Sequence, residues 1–183
     1  MIRLKRVIFV TGLLTISVLS HASIGASATI QKIGASGGVN DYSILLDNIG
    51  TTPIETFWFS WVPGQDYMGV KPQTFSQPSN FNAPAVTNGG PTDGFAIRWE
   101  SSTGLASGKT GVFTFWSTLT PAQIAGDSPF HPGVPVETSF VYAGIFPSGG
   151  SEKFVVQSVP TPPSAIVLGV GLIGLMIRRK RAK

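Results

Sequence analysis

Few residues of this chain have side chains suited to acid–base or nucleophilic chemistry. Two well-spaced carboxylates suffice for glycoside hydrolysis, and five acidic residues are candidates for such a pair: Asp66, Asp93, Glu100, Asp127 and Glu137. Serine–histidine–acid catalysis would have to use His131, whose proline- and glycine-flanked segment is typical of a loop. The chain contains no cysteine, which excludes thiolate catalysis and Cys-ligated zinc or iron–sulfur centres. The sequence therefore predicts a protein that is not an enzyme and has no cofactor.

Two tryptophans could form a ligand platform instead. Trp58 and Trp116 are predicted on the more polar faces of their strands, where an exposed indole could stack on a sugar ring. The alternative is that both rings pack in the core or against a loop. Asp41 and Asp47 could suggest a calcium site, but the Asp-x-Asp-x-Asp-Gly pattern is missing. Turn chemistry explains them better, and no metal site is predicted.

Glycine and proline divide the central part of the chain into windows of strand length that are rich in aromatic and β-branched residues. The windows are 29–33, 39–49, 54–62, 95–103, 112–120, 136–143 and 151–159. They predict an all-β fold, an antiparallel two-sheet sandwich of about seven to nine strands over residues 29–158. A helical turn is predicted at 121–125, where Thr120 can cap it and Pro121 suits the first helical position.

Alternation within the windows predicts which residues face the core. The inward rows are Tyr42, Ile44 and Leu46; Phe57, Phe59 and Trp61; Phe95, Ile97 and Trp99; Phe113 and Phe115; Phe154 and Val156. Residues 63–94 are predicted to be one long connection with a short edge strand near 70–75. Long ordered loops often carry binding sites, although a solvated crossover between the sheets is the favoured interpretation here.

The N-terminus has the layout of a secretory signal peptide. Basic residues at Arg3, Lys5 and Arg6 precede an apolar run at 7–19. Small residues then offer cleavage sites after Ala22 or after Ala28, so residues 1–28 are predicted to be the signal peptide. An uncleaved membrane anchor is the alternative, and either interpretation predicts export.

Residues 159–183 consist of three parts in succession. The first is a proline-punctuated linker that contains Val159, Pro160, Thr161 and Pro162. The second is an apolar run, predicted to be a short transmembrane helix, that contains Ala165, Gly169, Gly171, Leu172, Gly174, Leu175 and Ile177. The third is a basic cluster that stays on the cytoplasmic side: Arg178, Arg179, Lys180 and Arg181. An ordinary single-span anchor is the alternative, although the run is shorter than the ~20 residues that a stable span prefers.

This tail resembles a PEP-CTERM sorting signal, the surface-targeting tail of Gram-negative bacteria that an exosortase processes. The family has Glu between the two prolines, where this chain has Thr161. The resemblance implies transient anchoring in the inner membrane, processing by an exosortase-type enzyme, and release to the outer surface or extracellular matrix. Such proteins often belong to biofilm or exopolysaccharide systems. More weakly, the segments Asn48–Gly64 and Leu105–Ser117 resemble immunoglobulin-like sandwiches of exported bacterial proteins.

The charge of the part between the two targeting segments differs from that of the whole chain. The full sequence carries +4, but eight of its thirteen basic residues lie in the leader and the tail. Five scattered basic residues and all nine acidic residues remain, which is a net charge of about −4. A nucleic-acid role is not expected, because phosphate binding needs clustered Lys and Arg. The predicted function is therefore a structural or adhesive surface or matrix protein, with a carbohydrate-binding module for exopolysaccharide as the alternative.

Overall fold

The structure, a computed structural model, describes residues 22–160. Within that range the chain forms twelve strands and one helix of four residues. In chain order these are β1 (Ala26–Ser36), β2 (Val39–Asn48), β3 (Ile54–Phe59), β4 (Trp61–Val62), β5 (Gln65–Asp66), β6 (Gln73–Ser76), β7 (Ala85–Asn88), β8 (Phe95–Leu105), β9 (Thr110–Ser117), α1 (Pro121–Ile124), β10 (Thr138–Tyr142), β11 (Ser151–Val155) and β12 (Gln157–Ser158). Every predicted strand window holds a strand, so the all-β fold class is confirmed.

Two five-stranded sheets pack face to face as a sandwich. We call them sheet A, with the order β12-β1-β2-β9-β6, and sheet B, with the order β11-β10-β3-β8-β7. All neighbouring strands in these sheets are antiparallel except β1 and β12, which pair in parallel at one edge of sheet A. Val156 alone separates β11 from β12, so the chain crosses from sheet B to sheet A at that residue.

The core lies between the inner faces of the two sheets, as the alternation predicts. Tyr42, Ile44 and Leu46 of β2 are buried against Phe113 and Phe115 of β9 and against Phe57 and Phe59 of β3. Phe57 stacks on Trp99, with ring centroids 5.4 Å apart, and meets Phe113 edge-on at 5.2 Å. Aromatic pairs in these geometries add stability beyond the area they bury. The inward rows of β2, β8 and β9 are confirmed.

Two local turns form as the sequence predicts or allows. Gly37 and Gly38 both have positive φ, which a two-residue hairpin between twisted strands requires, and they join β1 to β2 with Ser36 opposite Val39. The predicted helical turn is α1. Thr120 and Gln123 cap it reciprocally, and Pro121 begins it.

The predicted inward position of Trp61 is wrong. Ser60 has φ of 63°, a left-handed conformation that interrupts the alternation of β3. Trp61 therefore lies with Trp58 in a separate apolar cluster outside the main core. The predicted strand number is also too low, because β3 ends at Phe59, Trp61 begins the separate strand β4, and the 63–94 connection contains β5, β6 and β7. The predicted edge strand near 70–75 corresponds to β6.

The predicted leader and sorting tail lie largely outside the described residues. Residues 1–21 precede the described range, and the tail from Thr161 onward, with its apolar run and basic cluster, follows it. Across residues 22–160, the structure contains no helix long and apolar enough to span a membrane.

Candidate functional site

Trp58 is not exposed, and the prediction that its ring forms a platform is wrong. The side chain lies on the outer face of sheet B, as its polar neighbours suggest, but only 2% of it is accessible. Trp61 stacks on it at 4.1 Å and Phe146 contacts it edge-on at 5.3 Å. The guanidinium of Arg98 lies 5.2 Å from its ring centre. Chain segments that follow β3 and β10 fold back over this face and cover the ring.

Trp116 is the tryptophan that the structure leaves open. It projects from the outer face of sheet A and is 39% exposed. One row of residues crosses the sheet at its level: Gly34 of β1 pairs with Asp41, Asp41 pairs with Trp116, and Trp116 pairs with Gln73. Because partners in register share a face of the sheet, the indole and the Asp41 carboxylate lie side by side on the same surface.

An open groove of about 140 Å³ lies at this row, at the end of the β1–β2 hairpin. Its lining residues are Gly34, Ala35, Ser36, Val39, Asp41 and Trp116. The small residues of β1 leave space beside Asp41, where a larger side chain would fill the groove. Residues 34–38 have the Gly-x-Ser-x-Gly spacing of hydrolase elbows, but here they are the last three residues of β1 and the two-residue turn into β2. A nucleophile elbow requires a strand-to-helix turn.

Hydroxyl and amide groups continue the surface beyond the groove. The next row along the strands consists of Gln31, Ser43 and Thr114, with Ser76 bonded to Thr114 at 2.8 Å between hydroxyl oxygens. Two residues of β-strand span ~7 Å, so this polar row lies about one sugar ring away from Trp116. An aromatic face beside hydroxyl and carboxylate groups suits a polyhydroxylated ligand that lies along the sheet.

A second polar cluster lies at the start of β8, near β5. The Nε2 atom of His131 lies 2.9 Å from Oδ1 of Asp93, and the same oxygen accepts hydrogen bonds from the backbone amides of Asp66 and Gly94 at 2.9 Å each. The ring of His131 packs edge-on against Tyr67 at 5.3 Å. The sequence predicts a loop around His131 but does not indicate this pairing, which joins residues 38 positions apart.

Burial and hydrogen bonding shift the two acids of this cluster in opposite directions. Burial raises the pKa of Asp66, and the charge of Asp93 acts in the same direction. Burial alone would raise the pKa of Asp93, but hydrogen bonds from His131 and from two backbone amides outweigh it, so its pKa is lowered. Asp93 is thus a charged anchor that ties three segments together, and the loop that contains His131 is one of them.

The remaining acids of interest have local structural partners. Glu100 lies 3.5 Å from Nε of Arg98, Asp127 accepts the amide of Gly133 at 3.2 Å, and Glu137 accepts a hydrogen bond from the Ser158 hydroxyl. Of the five candidate carboxylates, Asp66 and Asp93 are the two that these contacts bring together. In residues 22–160, no group of three or more His, Cys, Asp or Glu side chains is placed to hold a metal ion.

A larger hollow of about 450 Å³ lies beside α1. Gly69, Val70, Leu119, Ala122, Pro129 and Val136 are among its lining residues, and Asp127 contributes a carboxylate. Its walls are mainly apolar and backbone groups. The Trp116 groove has the more specific chemistry, because an aromatic face and an acid converge there.

Comparison with known proteins gives no family. The chain matches no family model and no curated protein. Among solved structures it is similar to the GH20 exo-β-N-acetylglucosaminidase of Vibrio harveyi in complex with N-acetylglucosamine, with a TM-score of 0.45 and 10% identity over 75% of this chain and 19% of that one. An inactive mutant of the same enzyme gives a TM-score of 0.44 and 9% identity over 74% and 18%. This chain therefore spans less than a fifth of the length of the enzyme chains that it matches.

Proposed function

We propose that this chain is an exported protein with a structural or adhesive role at the cell surface or in an extracellular polysaccharide matrix. The observation that carries this proposal is the asymmetry of the sequence, in which two apolar, positively flanked ends enclose an acidic, cysteine-free β-sandwich. The proposed route uses an N-terminal signal peptide, transient anchoring in the inner membrane by residues 159–183, and processing by an exosortase-type enzyme. The body acts without catalysis. We also propose that its sandwich is of the immunoglobulin-like type.

The N-terminal contacts of the sandwich favour one of the two signal-peptide cleavage sites. Ala26 and Ala28 of β1 are buried in the core. The carbonyl of Ser23 accepts the amide of Thr51 at 2.8 Å, and the Ser23 amide donates to the hydroxyl of Thr51. A cut after Ala28 would remove the first three residues of strand β1 and these bonds, whereas a cut after Ala22 leaves both in place. We therefore expect the mature chain to begin at Ser23, which the intact mass of the secreted protein would establish.

The C-terminal end of the fold is compatible with removal of the tail. Strand β12 ends at Ser158, the amide of Val159 donates to the carbonyl of Ile30 at 2.8 Å, and Val159 and Pro160 are exposed. The proposed sorting motif therefore begins directly beside the last strand. Processing beyond Pro160 would remove no residue of the described core.

The sorting step can be tested by fractionation of host cells with and without their exosortase-type enzyme. We expect cells that lack the enzyme to retain the full-length chain in membranes, and normal cells to release a shorter form. The variant Thr161→Glu, which introduces the family's residue, should be processed at least as well as the natural chain. Equal release with and without the enzyme would contradict the sorting proposal, and the intact chain in the cytosol would contradict export itself.

A second candidate function is carbohydrate binding, and the exposure of Trp116 favours it. An indole that is 39% exposed beside an open groove and a row of hydroxyl groups is a suitable stacking surface for a sugar ring. Adhesion to the host's exopolysaccharide would then take place on the outer face of sheet A. Substitutions in the groove should therefore abolish binding and leave the fold intact.

A pull-down against the host's own exopolysaccharide tests this function. Trp116→Ala should abolish retention, since it removes the stacking face. Val112→Ala is the matched control, because Val112 lies on the same outer face of β9 and is 49% exposed but does not line the groove. Retention that survives Trp116→Ala, or that Val112→Ala removes equally, would exclude the groove as the binding site.

A further inference from the structure

We propose that the groove beside Trp116 selects a cationic sugar, an amino sugar with a protonated amine, over neutral and acidic sugars. The proposal rests on the carbohydrate-binding function proposed above and adds the chemical class of the ligand. It follows from the pairing of an indole face with a carboxylate in one small groove.

The first step concerns Asp41, which lies directly opposite Trp116 in the register of β2 and β9. Its Oδ1 atom is buried and has no hydrogen-bond partner in the described part of the chain. The two ion pairs found within residues 22–160, Arg98 with Glu100 and His131 with Asp93, do not include it. Asp41 is therefore a half-buried carboxylate that lines the groove and takes part in neither of these ion pairs.

The second step concerns the charge that such a site attracts. A cation over the face of tryptophan is stabilised by the ring quadrupole, and tryptophan is the strongest of the aromatic residues in this respect. A carboxylate next to the ring adds attraction for the same positive group and repels an anion. An ammonium group on a sugar that stacks on Trp116 would meet both contributions at once. The carboxylate of a uronic acid would meet repulsion from Asp41.

The third step concerns size and surroundings. A groove of about 140 Å³ that is open on one side suits a single sugar ring within a longer chain. The row of Gln31, Ser43 and Thr114 then offers hydrogen bonds to the next ring. The outer face of β2 carries a second acid, Asp47, further along the strand, and its carboxylate accepts a hydrogen bond from Thr110. The outer face of β2 therefore carries an acidic residue near each end of the strand, Asp41 and Asp47.

The test compares three β-1,4-linked hexasaccharides that differ in charge: glucosamine, glucose and glucuronic acid. Binding to the purified full-length protein in mild detergent is measured by calorimetry at a pH at which the amine is protonated. The glucosamine oligomer should bind about tenfold more tightly than the glucose oligomer, the combined size of an exposed cation–π contact and an exposed ion pair. The glucuronic acid oligomer should bind most weakly. Trp116→Ala should remove binding of all three.

Two matched variants assign the preference to the groove. Asp41→Asn should reduce the preference for glucosamine over glucose to about two- to fivefold, since the cation–π contact alone remains. Asp47→Asn removes the same charge from the same face outside the groove and should leave the preference unchanged. If both variants reduce it equally, the preference comes from the overall acidity of the protein and the proposal is overturned.

The outcomes separate this proposal from the one on which it rests. Equal binding of glucosamine and glucose oligomers that Trp116→Ala abolishes would overturn the amine preference and leave carbohydrate binding intact. Binding of none of the oligomers would overturn both. A lysine tetrapeptide is the last control. If it binds at the groove as tightly as the glucosamine oligomer, the site recognises an amine alone, and the assignment of an amino sugar is wrong.

Discussion

The two sheets differ in the solvent exposure of the tryptophan on their outer faces. On sheet B, Trp58 lies under Trp61, Phe146 and Arg98 and is 2% exposed. On sheet A, Trp116 stands beside an open groove and is 39% exposed. Both residues alternate with core residues in the same manner along their strands. The difference teaches that alternation determines the face of a sheet, whereas exposure depends on what the connecting segments later cover.

The β4–β5 hairpin, which forms part of the cover over Trp58 on sheet B, is held in place by a hydrogen bond to the carboxylate of Asp93. Trp61 and Asp66 pair across the β4–β5 hairpin, and the amide of Asp66 donates to the carboxylate of Asp93. Asp93 is bonded in turn to His131. The contacts described here place no corresponding cover over Trp116. One outer face has thus become a second, smaller core, while the other remains available to a ligand.

The largest expected effect that tests this contrast is on stability. Trp58→Ala should lower the free energy of unfolding by ~3–5 kcal/mol, because it leaves a cavity in a packed aromatic cluster. Trp116→Ala should lower it by no more than ~1 kcal/mol, the range of strand propensity on an exposed face. Urea unfolding of both variants measures the difference. Equal losses would show that the two faces are not distinct.

A smaller effect is expected when the anchor of the cover is removed. Asp93→Asn should cost ~1.5–3 kcal/mol at neutral pH, the size of hydrogen bonds to a charged group. The pKa of Asp93 is lowered in the fold, so its contribution is complete above the unfolded-state value of 3.8 and is lost as pH falls through the lowered pKa. Unfolding free energies measured from pH 7 downward should therefore converge for the natural chain and Asp93→Asn. A difference that is independent of pH would contradict the assigned charge.

The smallest effect is expected at Ser60, where β3 turns into the cover. Ser60 has positive φ, and its buried hydroxyl lacks a hydrogen-bond partner among the described residues. Ser60→Gly should raise the free energy of unfolding by up to ~1 kcal/mol, since relief of backbone strain exceeds the added entropy of the unfolded chain. Ser43→Gly, in the regular strand β2 of sheet A, is the control and should be destabilising by ~0.5–1 kcal/mol. If Ser60→Gly is destabilising as well, the hydroxyl has a role that its contacts do not show.

Local sequence patterns were sufficient to predict most of the fold. Alternation with period two predicts the core rows of β2, β8 and β9, because each of these strands keeps one continuous buried face. The helical turn that Thr120 caps is equally local, since a few neighbouring residues determine it. The outward position of Trp116 on β9 was predicted for the same reason.

The missed features depend on contacts between distant residues. The burial of Trp58 requires the hairpin that begins at Ser60 to fold back, and nothing in the alternation indicates the left-handed residue. The pairing of Asp93 with His131 joins two loops that are far apart in sequence. Strands β5 and β7 are short and lie among prolines and glycines, so their patterns are too brief to recognise. The negative charge of the groove depends on the register of β2 and β9, which places Asp41 beside Trp116 and which local patterns do not predict.

The parallel pairing of β12 with β1 determines how the molecule would respond to tension. Any pull on the C-terminal end first reaches this edge strand of two residues, which is paired at Thr29 and Ile30 and followed by the Val159 bond. The next residue inward is Val156, fully buried between the sheets. A tethered copy would therefore yield a short length of chain at β12 under a weak force, and the sandwich behind Val156 would open only under a much stronger one.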